Sequence, residues 1–137
     1  MGTYKREYAT VVDTLLTECD IYAEDGHCFH ADKAMWDTGA DTTVVSSRVV
    51  RHLHLRPCQK GNIIGIGGAN DTDFYLVHIK LPTNVFLVNL EVVETGFEDY
   101  DIILGMDIIT ETDFLITNAE GRTTFQFRTP TVGGVEL

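Results

Sequence analysis

The chain has 137 residues, a length typical of one domain that can bury its own core. Its formal net charge of −11 argues against a nucleic-acid partner, because phosphate binding requires clustered Lys and Arg side chains. The sequence has no apolar run that predicts a membrane-spanning helix and no apolar signal segment, and its three cysteines suit a reducing compartment. We therefore expect one cytoplasmic domain over residues 1–137, with its core at about residues 9–128 and no membrane partner.

The first part of the chain is typical of short β-strands separated by turns. Residues 11–22 are rich in Thr and β-branched side chains, and the Glu-Asp-Gly sequence at residues 24–26 is a turn signal before the next such stretch. Residues 34–36 form a short apolar run that stops abruptly at Asp37. The chain therefore reaches Asp37 at the end of a predicted buried strand.

The second half continues the β pattern. Residues 74–81 alternate, with apolar side chains on one face and His78 and Lys80 on the other. A hairpin turn is expected at residues 118–121, where Asn, Glu and Gly occur together. The predicted strands of this half are residues 74–81, 85–93, 102–104, 114–117 and 123–127.

Two segments have helical character. Ser46 or Ser47 can cap a helix that places Val49, Val50 and Leu53 on one face and ends before Pro57. A second, shorter helix is expected over residues 106–111. The sequence therefore predicts an all-β domain of many short strands with one or two short helices.

The candidate catalytic residues are Asp37-Thr38-Gly39. Alone, this tripeptide is a common turn sequence, because Asp at a strand end often bonds to its own loop. Two further features change its interpretation. Residues 64–68 are glycine-rich and lie between predicted strands, where glycine permits a hairpin tip. Residues 102–105 are an apolar strand that ends at glycine and leads into the short second helix.

Together these motifs resemble the retropepsin family, the retroviral-type aspartic peptidases and their cellular and bacterial relatives. The resemblance covers residues 34–117 and the final strand 123–127. The amino-acid sequences of the motifs are more similar to those of bacterial or phage members than to retroviral ones. It implies an acid-protease fold, which is a closed β-barrel with a Gly-rich flap hairpin. It also implies an aspartic endopeptidase that needs no cofactor and no metal.

The resemblance assigns roles residue by residue. Asp37 would be the catalytic carboxylate, Thr38 would bond across a dimer axis, and Gly39 would let the substrate backbone approach closely. The implied substrate-binding residues are Ala40, Asp41, Gly65, Ile66, Gly67, Gly68 and Leu104, of which residues 65–68 form the flap. The substrate would be a peptide or protein segment in extended conformation.

A single Asp-Thr-Gly motif implies a homodimer. Aspartic peptidases use two carboxylates so close that both cannot be ionised together. The charged one takes a proton from a water molecule that attacks the scissile carbonyl, and the protonated one donates toward the carbonyl oxygen. One motif per chain supplies both groups only if Asp37 faces its symmetry mate.

Some features depart from the viral pattern. Viral enzymes carry an arginine after the glycine of the strand that threads through the catalytic loop, whereas this chain has Met106 followed by Asp107. The ion-pair network between subunits is therefore expected to differ. The tail, residues 129–137, is expected to be flexible or to add a strand to the dimer interface.

Several alternatives compete with this interpretation. His27, Cys28 and His30, with Cys19 upstream, suggest zinc, but neighbouring residues of a strand point to opposite faces and do not converge easily on one ion. Asp107 could be proposed as a second carboxylate of the same chain, but it lies in a predicted helix without a following Thr-Gly. The remaining alternative function is a catalytically silent dimerisation or peptide-binding module that retains the fold.

Overall fold

The computed structural model of the chain describes residues 2–58 and 73–136. Within these ranges the chain forms nine β-strands, two short α-helices and one 3₁₀ turn. The strands are β1 (Gly2–Glu7), β2 (Leu15–Tyr22), β3 (Cys28–Trp36), β4 (Val44–Ser46), β5 (Phe74–Leu81), β6 (Val85–Thr95), β7 (Ile102–Leu104), β8 (Asp113–Thr117) and β9 (Thr124–Thr129), and the helices are α1 (Ser47–His52) and α2 (Met106–Ile109). The described helices α1 and α2 have 6 and 4 residues, far short of a membrane span.

Six of the strands close into a barrel in the order β2-β3-β7-β4-β6-β5. In the barrel wall, β7 is a neighbour of two strands. It is parallel to β3 and antiparallel to β4. The β3–β7 register sets Trp36 opposite Leu104, so these two strands end side by side. The predicted fold class, an all-β closed barrel with short helices, is confirmed; the predicted flap residues 65–68 lie outside the described residues.

Local patterning accounts for most of these elements. Strand β5 has the predicted bounds, and its alternation buries Val77, Ile79 and Leu81 in the barrel. Helix α1 begins where its cap was expected, because the side chain of Ser46 accepts a hydrogen bond from the backbone N–H of Val49. Its apolar face is buried as predicted.

The remaining strands form a second, three-stranded sheet in the order β1-β9-β8. Strand β1 was not predicted, and it extends the paired structure back to Gly2, before the expected start of the core at about residue 9. Its sequence contains no apolar run, so its strand conformation depends on antiparallel pairing with β9. Tyr4 also packs its ring on Phe127, with 5.2 Å between ring centroids.

An aromatic cluster joins this sheet to the barrel at the end of β3. The Trp36 ring lies 5.1 Å from Phe127, 5.6 Å from Phe125 and 5.7 Å from Phe114, measured between centroids. The indole Nε1 of Trp36 donates a hydrogen bond of 2.9 Å to the buried hydroxyl of Thr17. These contacts hold the residue immediately before Asp37 rigidly in the core.

The described part of the tail, residues 130–136, forms no helix or strand but is held to β8 by one carboxylate. Oδ2 of Asp113 accepts hydrogen bonds from the backbone N–H groups of Val132 (2.7 Å) and Gly133 (3.0 Å) and from Nε of Arg128 (2.7 Å). Because the Val132 amide, the Arg128 guanidinium and the Gly133 amide all stabilise the charged form, the pKa of Asp113 is lowered from 3.8 to about 2.

We expect acid to release the tail. A carboxyl group whose pKa is lowered in the folded state contributes stability above its ordinary pKa of 3.8, and this contribution is lost as pH falls through about 2. In an NMR titration, the amide shifts of Val132 and Gly133 should therefore stay constant down to about pH 4 and move below it. In Asp113→Asn they should not titrate, and an unchanged titration in that variant would assign the transition to another group.

Candidate active site

Asp37 follows β3 directly and is held by its own backbone and by β7. Its N–H donates to the carbonyl oxygen of Leu104 at 2.9 Å, which continues the parallel β3–β7 pairing by one residue. Its Oδ1 accepts a 2.8 Å hydrogen bond from the N–H of Gly39, and its carbonyl oxygen accepts one of 3.2 Å from Ala40. Asp37 is partly buried, whereas Thr38 and Gly39 are exposed, so the carboxylate has a fixed orientation at the surface.

Gly39 lies unusually close to this carboxylate. A Cβ atom at this position would stand 3.1 Å from Oδ1 of Asp37, tighter than most Cβ contacts in proteins. A side chain here would therefore push against the carboxylate that the Gly39 N–H orients. Glycine leaves the carboxylate undisturbed, whereas a larger residue would require it to shift by a few tenths of an ångström.

The loop after Asp37 rests on the residues that follow β7. Met106 donates its N–H to the carbonyl oxygen of Ala40 at 2.7 Å, and Asp107 donates its N–H to that of Asp41 at 3.3 Å. A Cβ atom on Gly105 would stand 2.7 Å from the Ala40 carbonyl oxygen, so the two backbones are in direct contact. Gly105, which follows β7, therefore leaves no room for a side chain.

Asp107 anchors this loop with both carboxylate oxygens. Oδ2 accepts the N–H of Thr43 at 2.9 Å, while Oδ1 accepts the Thr43 hydroxyl at 2.7 Å and the N–H of Ile108 at 3.0 Å. The Thr43 hydroxyl in turn accepts the buried N–H of Gly105 at 3.1 Å. In the sequence, Asp107 was considered as a catalytic group and rejected, but its anchoring role was not predicted. The available signal was its position in the first turn of a predicted helix, where acidic side chains bond to backbone N–H groups.

Removing the Thr43 hydroxyl should weaken the anchor. Thr43→Val keeps the side-chain shape but leaves the Gly105 N–H buried without an acceptor, so we expect the free energy of unfolding to fall by about 1–3 kcal/mol. Thr43→Ser keeps the hydroxyl and loses one methyl group, for which we expect about 0.8 kcal/mol. Urea unfolding followed by the fluorescence of Trp36, the chain's one tryptophan, measures both. Equal losses in the two variants would show that the hydroxyl is unimportant.

The other predicted site residues occupy different environments. Ala40 is partly buried and Asp41 is exposed, both in the loop after Asp37. The side chain of Leu104 is fully buried, so this residue meets the site only through its carbonyl oxygen. Gly65, Ile66, Gly67 and Gly68 lie outside the described residues. The N–H of Cys58 donates to the carbonyl oxygen of Phe74 at 2.5 Å, so Cys58 lies beside the start of β5.

The His and Cys residues weighed for zinc do not converge. Cys19 is buried whereas Cys28 is exposed, and His27 is paired through Nδ1 with Asp25 at 2.9 Å. Among the described residues, potential ligand atoms come together at Glu18, His30 and Asp32, all within 4.8 Å of one another. All three side chains are exposed. Because exposed acidic groups often cluster without a metal, we assign no metal role to them.

The His30 ring lies within a set of carboxylates on the outside of the barrel. Its Nδ1 is 2.6 Å from Oδ1 of Asp20, and its Nε2 is 3.3 Å from Asp32 and 3.7 Å from Glu18. The hydrogen bond to Asp20, with weaker attraction from the other carboxylates, raises the pKa of His30 above its ordinary value. This group belongs to the barrel surface and makes no described hydrogen bond with the Asp37 loop.

The sequence matches the family model described as aspartyl protease over residues 25–108. This match covers more than half of the chain and includes both the Asp37 loop and β7. No curated protein gives a significant match to the sequence.

Solved structures give a second comparison. The chain is similar to the EIAV protease, solved in complex with an inhibitor, at 25% sequence identity and a TM-score of 0.50, over 72% of this chain and 86% of that one. It is also similar to a retropepsin-like aspartic protease from Rickettsia conorii, at 16% identity and a TM-score of 0.48 over 91% and 93% of the two chains. A third similar structure is the retroviral protease-like domain of Ddi1 from Leishmania major, at 13% identity and a TM-score of 0.44 over 80% and 93%.

The family match and the likeness to the EIAV protease agree with the geometry around Asp37. An aspartate directly after a half-buried strand, oriented by its own loop and supported by a second strand that is followed by glycine, lies within the matched residues. The chain therefore belongs to the aspartyl protease family, has a retropepsin-like fold, and is a hydrolase of the aspartic peptidase class.

Proposed function

We propose that this chain is an aspartic endopeptidase that acts as a homodimer, with Asp37 of each protomer supplying one catalytic carboxylate. The observation that carries this proposal is the anchoring of Asp37, whose N–H is held by Leu104 and whose Oδ1 is held by the N–H of Gly39. The Leu104 carbonyl oxygen fixes the Asp37 backbone, and the Gly39 N–H donor orients the carboxylate before substrate arrives, which lowers the cost of reaching the transition state.

The need for a second copy follows from the number of available carboxylates. The sequence has one Asp-Thr-Gly, and the nearby Asp107 uses both of its oxygens to hold Thr43. Its carboxylate is therefore committed within the chain. A two-fold axis that brings Asp37 beside its symmetry mate completes the pair, and closed two-fold dimers are the commonest protein oligomers.

The chemistry of the pair is acid–base catalysis on a shared water molecule. Two carboxylates a few ångströms apart cannot both be charged, so one keeps its proton and the titration belongs to the pair. The charged carboxylate removes a proton from the water as its oxygen attacks the scissile carbonyl carbon. The protonated carboxyl group donates its proton to the carbonyl oxygen, which gives a tetrahedral diol. The carboxyl group that took the water proton then passes it to the amide nitrogen, the C–N bond breaks and the amine leaves. A diol hydroxyl returns its proton to the other carboxylate as the carboxylic acid product forms.

The substrate in this proposal is an extended peptide lying over the Asp37 loop. Gly39, which has no side chain, allows close approach of the substrate backbone, with Ala40 and Asp41 beside it. Residues 65–68 are proposed to cover the substrate from the other side. Thr38 is proposed to bond across the dimer axis. Leu104 acts through its carbonyl oxygen, so we now assign it a positioning role and no direct substrate contact.

A subunit-mixing experiment tests the shared site. Wild-type protein is equilibrated with a tenfold excess of Asp37→Asn, and cleavage of an unfolded protein substrate is measured. If each site needs two Asp37 carboxylates, random pairing leaves about one in eleven wild-type chains in an active dimer, so activity falls to about 9%. Excess Asp13→Asn, which changes an exposed aspartate before β2, should instead add activity.

The other outcomes of this experiment are equally clear. Unchanged activity in the presence of excess Asp37→Asn, with sedimentation showing mixed dimers, would mean that one chain carries a complete site. Absence of cleavage by a wild-type chain that sedimentation shows to be dimeric would favour a silent dimerisation or peptide-binding module.

A cytoplasmic location remains part of the proposal, because the described cysteines are free thiols, which suit a reducing compartment.

A further inference from the structure

Asp101, immediately before β7, is a buried acidic residue that the proposed chemistry does not use. Only 8% of the residue is exposed, and it was not among the site residues predicted from the sequence. A buried carboxylate is costly unless charged or polar partners satisfy it. Its partners therefore indicate what the residue does.

The backbone and the side chain of Asp101 both pair with β3. Its N–H donates to the carbonyl oxygen of Lys33 at 3.0 Å, which extends the parallel β3–β7 register by one residue beyond Ala34 and Ile102. Its Oδ2 accepts the N–H of Lys33 at 3.2 Å, so both polar groups of the Lys33 backbone bond to Asp101. The start of β7 is thereby locked to β3.

The same residue is also tied to β4 and to helix α1. Its carbonyl oxygen accepts the N–H of Ser46, the N-cap residue of α1, at 3.0 Å. Its Oδ1 accepts a hydrogen bond from Nη2 of Arg48 in the first turn of that helix. The Asp101 side chain is 12% exposed and that of Arg48 is 46% exposed, so the ion pair forms at the boundary of the core. It is screened less than a surface pair.

Strand β7 connects Asp101 at one end to the Asp37 loop at the other. It has three residues, and Ile102 and Leu104 are both fully buried, so the strand moves as one packed unit. At its far end the Leu104 carbonyl oxygen holds the N–H of Asp37, and Gly105 contacts the carbonyl oxygen of Ala40. A shift at Asp101 would therefore reach the catalytic loop across about 10 Å of strand.

We propose that Asp101 and Arg48 are positioning residues for Asp37, because their ion pair sets where β7 lies and β7 sets where the Asp37 backbone is held. This inference rests on the proposed function. Neither residue touches substrate in this role. Both act through Leu104 and Gly105, so their loss should change turnover more than substrate binding.

Amide hydrogen exchange of the 137-residue chain tests the positioning step without depending on activity. In Arg48→Met and in Asp101→Asn, the Asp37 amide should exchange about tenfold faster relative to the amides of β5, which report opening of the barrel. Arg48→Lys, which keeps the charge, should recover much of the protection. Arg51→Met, on the same helix, should leave the ratio unchanged. Arg48 is half-exposed, so its variant remains informative if Asp101→Asn does not fold.

Kinetics test the functional consequence. We expect kcat of Arg48→Met to fall about tenfold while KM stays within about twofold of wild type. Equal acceleration of the Asp37 and β5 amides, or a raised KM with unchanged kcat, would overturn the positioning role. Activity of Asp37→Asn equal to wild type would instead overturn the proposed function, and in that case the exchange ratio would still decide whether Asp101 and Arg48 position the Asp37 backbone.

Discussion

Asp37→Asn should abolish peptide cleavage while leaving the fold intact. The asparagine side chain keeps an oxygen that accepts the Gly39 N–H, so the loop retains its 2.8 Å hydrogen bond. What it loses is the ability to take up and release a proton, which is worth about 10²- to 10⁴-fold in rate for a group in this role. We expect at least this loss for digestion of an unfolded protein between about pH 4 and pH 7, with products identified by mass spectrometry.

The matched control is Asp13→Asn, the same change at an exposed aspartate outside the site. It should digest the substrate at the wild-type rate with the same cut sites. Cleavage that survives in Asp37→Asn would contradict our assignment of the catalytic group and would indicate a contaminating protease or a different mechanism. Unfolding followed by Trp36 fluorescence should give the same midpoint for all three proteins, which separates a chemical loss from a folding loss.

Gly105→Ala is expected to have the second-largest effect. The added methyl carbon would stand 2.7 Å from the Ala40 carbonyl oxygen, 3.0 Å from the Thr42 carbonyl carbon and 3.1 Å from its oxygen. These are backbone atoms and cannot turn aside as a flexible side chain does, so the loop that follows Asp37 must move. Overpacking of this kind costs about 1–3 kcal/mol of stability. Because the displaced loop carries the site, we also expect cleavage to fall by at least about tenfold.

Gly96→Ala is the matched control, because a Cβ atom at Gly96 would have no atom within 4 Å. That substitution should change the free energy of unfolding by less than about 1 kcal/mol, and in the stabilising direction if the backbone there suits alanine. Urea unfolding and substrate digestion measure both variants. Equal stability and activity of Gly105→Ala and Gly96→Ala would mean that β7 does not support the loop as closely as the distances indicate.

Features with a local physical cause could be read from the sequence. The alternation of residues 74–81 predicted β5 with its bounds, because a half-buried strand needs an apolar side chain at every second position. Ser46 or Ser47 predicted the start of α1, and Ser46 is the cap because its side chain supplies an acceptor to the first turn. The apolar residues before Asp37 and before Gly105 predicted the two strands that meet at the site.

Features that depend on distant partners were not predicted. Strand β1 has a polar sequence. It is a strand because its backbone pairs with the edge of β9, more than a hundred residues away in the chain. Asp101 was not singled out in the sequence, and Asp107 was considered only as a catalytic group and rejected. Their roles arise only when the chain brings Thr43, Lys33 and Arg48 within hydrogen-bonding distance.

The sequence by itself therefore determined the family, the barrel class and the identity of the candidate carboxylate, because these are written in contiguous motifs and in local periodicity. Only the tertiary structure decided how the Asp37 backbone and the loop after it are held. Support for Asp37 comes from Leu104 and Gly105, and through them from Asp101 and Asp107, which are joined to β3 and to the Asp37 loop across more than sixty residues of chain. Hydrogen bonds of such range depend on which strands become neighbours when the barrel closes, and no local pattern specifies that.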